Sequence, residues 1–259
     1  MENQRQEPRM ILLSLSVFYK GDLDAVYKAI AEKKIPSDID SLDIEESIKN
    51  HSLTILDPDY PKRFNQGFKP PLIMYYKGDV SLLNRKIVVV LNSKNASNYA
   101  TTSLLDIIGN MPNAEVVSVP VNTTSYPLAK KAVESGLKVI GVSNKAIDSK
   151  AYNDVQKELI DLILKNDGLV ITEVPDNTEG DGSRILWLRL LAVSGQVILV
   201  GGLPKRDGFI HTVAIALNSG ADVYCIPFTI DSNYINNSLI QEGAMLIESG
   251  EEITFKENY

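Results

Sequence analysis

The stretch Gly201-Gly202-Leu203-Pro204-Lys205-Arg206-Asp207-Gly208 holds the residue types that a phosphate needs. Its glycines let backbone approach an anion closely, a helix starting after it would offer free N–H groups, and Lys205 and Arg206 add positive charge. A solvated turn would have the same eight residues. A second basic spot, Leu91-Asn92-Ser93-Lys94, ends another apolar run. Other chemistry is sparse. Two histidines, His51 and His211, and one cysteine, Cys225, cannot build a zinc site of four cysteines or of two cysteines and two histidines. There is no GxSxG elbow, no GxxxxGKS/T loop and no GxGxxG turn after a strand. A serine hydrolase, a P-loop nucleotide hydrolase and an ordinary dinucleotide site are thereby disfavoured. The residues predict a binding protein, with no catalytic set, no cofactor and no metal. Cys225 lies in the apolar run DVYCIP and reads as a buried small hydrophobe.

The elements that must position these residues are legible. Short runs rich in Val and Ile recur at KIVVVL, EVVSVP, LKVIGV, GLVITEV, QVILVGG, DVYCIP and AMLIES. Such runs suit strands buried on both faces. Helical stretches separate them, among them Tyr126–Ser135 before Gly136, Asp154–Lys165 before Gly168, and Gly208–Ser219 before Gly220. Alternating strands and helices predict an α/β, Rossmann-like, doubly wound fold: a mainly parallel sheet with helices on both faces. Ligands of such sheets sit outside the carboxyl ends of the strands, where both basic spots fall. Ahead of this region, Leu23, Val26, Tyr27, Ile30 and Ala31 make one apolar helical face, and Asp43 stands as an N-cap before IEESIKN. Residues 1–55 therefore read as a small helical N-terminal region. Residues 56–80, with Pro58, Pro61, Pro70 and Pro71 and the aromatics Tyr60, Phe64, Phe68, Tyr75 and Tyr76, read as an extended linker packed on the main domain, 81–259.

The chain has 259 residues, with Lys+Arg 26 and Asp+Glu 33, for a net charge of −7. That balance excludes a globally basic surface that coats nucleic acid, and leaves a local basic island open. A lone cysteine suits the cytoplasm. The apolar stretch Met10–Tyr19 is about half the length that spans a bilayer, so neither a signal sequence nor a membrane association is expected.

The order of motifs resembles the DNA-processing protein A (DprA/Smf) family. Leu56-Asp57-Pro58-Asp59-Tyr60-Pro61-Lys62-Arg63-Phe64 and Pro70-Pro71-Leu72-Ile73-Met74-Tyr75-Tyr76-Lys77-Gly78 are similar to that family's D-x-x-YP-x-x-L and PP-x-x-L-Y-x-x-G. Asn92-Ser93-Lys94 with Ser97-Asn98-Tyr99-Ala100 falls where the family has GSR and S-x-YG. Gly168–Pro175 resembles G-x-L-x-(S/T)E-x-P, Asp207–Thr212 resembles SGS-x-x-T, and Asn237–Ala244 resembles N-x-LI-x-x-GA. The likeness covers residues 56–253. It implies a single-stranded-DNA-binding protein of DNA uptake and recombination, not an enzyme, that loads a RecA-type recombinase and forms a homodimer.

By that resemblance Lys94, Lys205 and Arg206 would neutralise phosphates. Ser93, Ser118, Thr212 and Asn237 would hydrogen-bond the strand, and amides near Gly208 would cap a phosphate. Phe209 and Tyr234 are candidates for stacking bases. Lys130, Lys131, Arg184 and Arg189 either join the patch or are solvated helix charges. Leu239, Ile240 and Leu246 would form the dimer interface. The departures are several. The family's SG-x-ARG-x-D is here Ser118–Ser125, its RNR is Leu186-Trp187-Leu188, an acid closing a strand is Gly201, and the glycine and arginine of GSR are Asn92 and Lys94. Lysine keeps the charge but lacks the planar fork of arginine. These losses favour an alternative: a relative that senses a nucleotide-type ligand, or serves as a protein-interaction scaffold, without binding DNA.

Overall fold

A computed structural model describes residues 3–37, 39, 44, 46–65, 69–176, 178–230 and 232–256. Asp43 and Phe68 lie outside the described residues. Among the described residues, nine strands make one sheet: β1 (Ser52–Thr54), β2 (Ile73–Gly78), β3 (Ile87–Leu91), β4 (Val116–Pro120), β5 (Lys138–Val142), β6 (Leu169–Thr172), β7 (Val197–Val200), β8 (Asp222–Cys225) and β9 (Met245–Leu246). Their order is β1-β2-β6-β5-β4-β3-β7-β8-β9. From β3 to β9 every pairing is parallel; β1 and β2 are antiparallel additions, β2 lying against β6. The seven Val- and Ile-rich runs of the sequence are the seven parallel strands. The helices are α1 (Asn3–Phe18), α2 (Leu23–Ala31), α3 (Glu46–Asn50), α4 (Asn98–Ile108), α5 (Tyr126–Glu134), α6 (Asp154–Lys165), α7 (Arg184–Val193), α8 (Phe209–Asn218) and α9 (Asn236–Gln241).

The doubly wound arrangement follows from burial along the central strand. All five residues of β3 are 0% exposed. Ile87, Val89 and Leu91 pack in one cluster with Leu188, Leu191, Val213 and Ala216 of α7 and α8. Val88 and Val90 point the other way, to Leu104 and Ile108 of α4, Leu128 of α5 and Leu159 of α6. A strand covered on both faces has no polar side to show, so its sequence does not alternate.

The N-terminal helices form a third cluster, in which Leu13, Leu15, Leu23 and Val26 pack on Leu72, Ile73 and Tyr75. The segment expected as a linker therefore supplies an internal strand of the sheet, and the sheet already begins at Ser52. Pro70 and Pro71 hold the chain extended just before β2, where the buried residues Ile73 and Met74 pair with β1 and the buried Tyr75 pairs with both β1 and β6, so the sheet satisfies their backbone. Arg63 fastens the same segment to the main body, donating to the carbonyls of Val193, Ser194 and Leu83.

A buried ion pair adds a second fastening. Arg189 of α7 donates to the Glu173 carboxylate and to the Lys69 carbonyl. Burial raises the Glu173 carboxyl above its ordinary value, and the neighbouring guanidinium opposes that rise. Cys225 is fully buried, and burial pushes its thiol up to about 12.

Candidate nucleic-acid interface

Strands β4, β5 and β6 lie to one side of β3, and β7 and β8 to the other. The loops after β3 and β7 must therefore part, and a crevice opens at the carboxyl ends of these two strands. Both basic spots of the sequence meet there. The loops are tied together by Ser93 N–H donating to the Gly202 carbonyl at 3.2 Å and by the Ser93 hydroxyl donating to Asp207. Beside them a cleft of about 430 Å³ is lined by Lys94, Asn122, Thr124, Arg184, Trp187 and Asp207.

Lys94, Arg184, Lys205 and Arg206 are exposed around this crevice. None of the four is in an ion pair among the described residues, whereas nearby Lys145 reaches Asp181 at 3.5 Å. Arg184 lies over Gly208, where a Cβ would collide with its guanidinium. Gly208 thus clears the space that Arg184 occupies, at the start of α8.

The anion-binding ends of the neighbouring helices are already filled. The Asp207 carboxylate accepts from Phe209 N–H at 2.9 Å at the start of α8, while the Ile210 and His211 amides bond to backbone carbonyls. An amide cradle near Gly208 is not free in this geometry. The Asn122 carboxamide oxygen accepts from the amides and hydroxyls of Thr124 and Ser125 just ahead of α5. A carboxylate and an amide oxygen thus hold positions that a phosphate oxygen would take.

Several expected contacts are corrected by burial. Ser118 is 0% exposed and shares a hydrogen bond of 2.9 Å with Ser194 inside the sheet. Thr212 is 0% exposed and donates to the Leu188 carbonyl. Ser93 is 2% exposed, with its hydroxyl spent on Asp207 and on Asn95 N–H. Asn237 accepts from Phe228 N–H and donates to the Phe228 carbonyl, so it clamps a loop. Leu239 is 6% exposed and belongs to the core, and Ile240 packs against it. Leu246 is 45% exposed on β9, the outermost strand. Arg189 is buried against Glu173, and Lys130 pairs with Glu134 on α5. Phe209 is 8% exposed and packs on Trp187, with ring centroids 5.8 Å apart. Tyr234 is half-buried beside Tyr99, which the sequence showed only within a motif, and Phe228, which it had not singled out.

Residues 51–257 match the family described as DNA recombination-mediator protein A. The chain belongs to that family. DNA processing protein DprA of Streptococcus pneumoniae is 29% identical over 221 residues, which are 81% of this chain and 75% of that protein. The X-ray structure of DprA from the same species aligns with a TM-score of 0.73 at 25% identity, covering 90% of this chain and 83% of that one. A structure of DNA processing protein A from Helicobacter pylori, described for its single-stranded DNA binding mode, aligns with a TM-score of 0.64 at 17% identity, over 77% and 92% of the two chains. At that identity the likeness is one of fold.

Asn92 and Gly201, the residues that the sequence set apart from the family's motifs, fit against each other. A Cβ at Gly201 would stand 2.6 Å from Asn92 Oδ1 and 2.5 Å from Leu104 Cδ1. Asn92 accepts from Gly202 N–H at 3.0 Å and donates to Thr101 at 3.1 Å. The asparagine side chain fills the space that an acid at residue 201 would need. The apolar triplet at residues 186–188 also has its reasons: Leu188 is core, and Trp187 donates to the Val142 carbonyl at 2.9 Å.

Proposed function

We propose that this chain binds single-stranded DNA across the carboxyl ends of β3 and β7, and acts in DNA processing by binding rather than by catalysis. One observation carries the reading. Among the described residues, Lys94, Arg184, Lys205 and Arg206 stand exposed and without carboxylate partners around one crevice, on a chain whose net charge is −7. An acidic protein that leaves four cations unpaired at a switch point holds them for an anionic ligand. Family membership supports DNA as that ligand, and so does the fold shared with the Helicobacter pylori protein, whose structure concerns single-stranded DNA. The phosphate contacts of this reading are charge contacts from side chains, not a cradle of helix amides.

Within the same reading the chain acts in the cytoplasm, in DNA uptake and recombination. It pairs as a homodimer through β9, where Met245 and Leu246 leave an apolar pair on the sheet edge, and hands the strand to a RecA-type recombinase. Among the described residues, no helix is long and apolar enough to cross a membrane. Of the alternatives, a protein-interaction scaffold without a phosphate ligand is favoured by one feature, the Asp207 carboxylate at the start of α8.

The test uses Trp187, the chain's single tryptophan, which lines the cleft. Titration of a labelled oligothymidylate at about 50 mM salt should quench its emission and give saturable binding. Lys94→Ala, and separately a Lys205→Ala/Arg206→Ala double change, should each weaken binding about fivefold or more. No binding of the strand, with a nucleoside phosphate bound instead, would favour the sensor.

A further inference from the structure

Beside the basic crevice lies an aromatic surface that the phosphate contacts do not use. Phe228 and Tyr234 stack with ring centroids 4.1 Å apart and planes at 23°. Tyr99 meets Phe228 edge-on at 5.5 Å and 83°. With Ser97, Thr229 and Ser232 these rings line an open cavity of about 590 Å³, a size typical of ligand clefts. None of these six side chains carries a charge. Tyr99 is 54% exposed.

This surface is built onto the loops that carry the cations. The Tyr234 hydroxyl donates to the Asn95 carbonyl at 3.3 Å, one residue beyond Lys94. Tyr234 also forms an isolated bridge with Pro204, and Lys205 N–H donates to the Asn233 carbonyl at 3.3 Å. Gly202 lets the ring lie against the end of β7, since a Cβ there would come 3.0 Å from Tyr234 Cε1. From below, Asn237 grips both backbone groups of Phe228. The rings are therefore held in place before any ligand arrives, on the loops that carry Lys94 and Lys205.

We propose that Tyr99, Phe228 and Tyr234 form a stacking shelf for the unpaired bases of the strand whose phosphates meet Lys94 and Lys205. The proposal rests on the single-stranded DNA reading. Its occupant follows from the juxtaposition: uncharged π faces on the loops that carry exposed cations match a flat base joined to an anionic phosphate. Stacking also suits a sequence-tolerant binder, because every base has a π face. A duplex keeps its bases stacked on each other and could not use the shelf.

The test compares two probes of equal length and charge, oligothymidylate and an abasic deoxyribose-phosphate strand. The intact protein should bind the thymidylate about fivefold or more tightly than the abasic strand. Tyr99→Ala should bring the two affinities together while leaving binding of the abasic strand unchanged, and Tyr99→Phe should keep the preference. Lys94→Ala should weaken both probes alike. Tyr99 is exposed, so its loss should leave the fold intact, and circular dichroism checks that; Tyr234→Ala is the second variant. Equal affinity of the intact protein for both probes, or an unchanged ratio in both alanine variants, would overturn the shelf and leave the phosphate reading standing. Failure of both probes to bind would overturn both.

Discussion

At the scale of single residues, the crevice sets the exposed cations Lys94, Arg184, Lys205 and Arg206 against the carboxylate of Asp207, which the Phe209 amide holds at the start of α8. Lys94, Lys205 and Arg206 are exposed at strand ends, as their places in the motifs indicated. Ser118 and Thr212 have the right chemistry to hold phosphate, but their hydroxyls point inward and are spent on Ser194 and on the Leu188 carbonyl. Which face of a strand or helix a short polar residue takes depends on the partner packed there, and no local pattern encodes it. The sequence left Arg184 between the basic patch and a solvated helix charge, because its approach to Gly208 joins residues far apart in the chain. Asp207 makes the sharpest prediction at this scale. Its carboxylate sits at the mouth of the crevice and repels phosphate. Asp207→Asn keeps the hydrogen-bonding shape and removes one charge, so single-stranded DNA should bind about fivefold more tightly at low salt. Equilibrium titration of the two proteins with the same oligonucleotide checks this.

At the scale of elements, the seven parallel strands announce themselves because both faces of each are covered, which leaves continuous apolar runs. Strands β1 and β2 were not legible. They lie in or beside proline-rich sequence, and they exist as strands only through pairing with each other and with β6. The fastening of this segment was equally hidden, since it joins Glu173 after β6, Arg189 on α7 and the Lys69 carbonyl. Breaking one member of a buried pair strands the other charge. Glu173→Gln should therefore destabilise the fold by about 3 kcal/mol in urea unfolding, and a Glu173→Leu/Arg189→Met double change should lose less than the single one. Leu246 tests the other end of the sheet. If β9 pairs two chains, Leu246→Asp should convert a dimer to a monomer in light scattering, with unchanged far-ultraviolet circular dichroism.

At the scale of the whole molecule, the charge of −7 argues against a generally basic surface and is compatible with one local island. The sequence told the sign and size of that charge but not its arrangement, because many of the ion pairs are contacts between distant elements. Pairing of Lys77 with Asp148, Lys138 with Asp167 and Lys145 with Asp181 leaves the crevice cations conspicuous. An island of four cations has a thermodynamic signature. Each phosphate contact to a single strand contributes about −0.7 to the slope of log affinity against log salt, so four contacts give a slope of about −3. Lys94→Ala should lower its magnitude by about 0.7, since one counterion fewer is released. The most direct measurement is this slope for an oligothymidylate between about 50 and 200 mM salt. A slope near −3, made shallower by each cation removed, is the expected result; a slope near zero, or no binding at the lowest salt, would contradict a DNA site at the ends of β3 and β7.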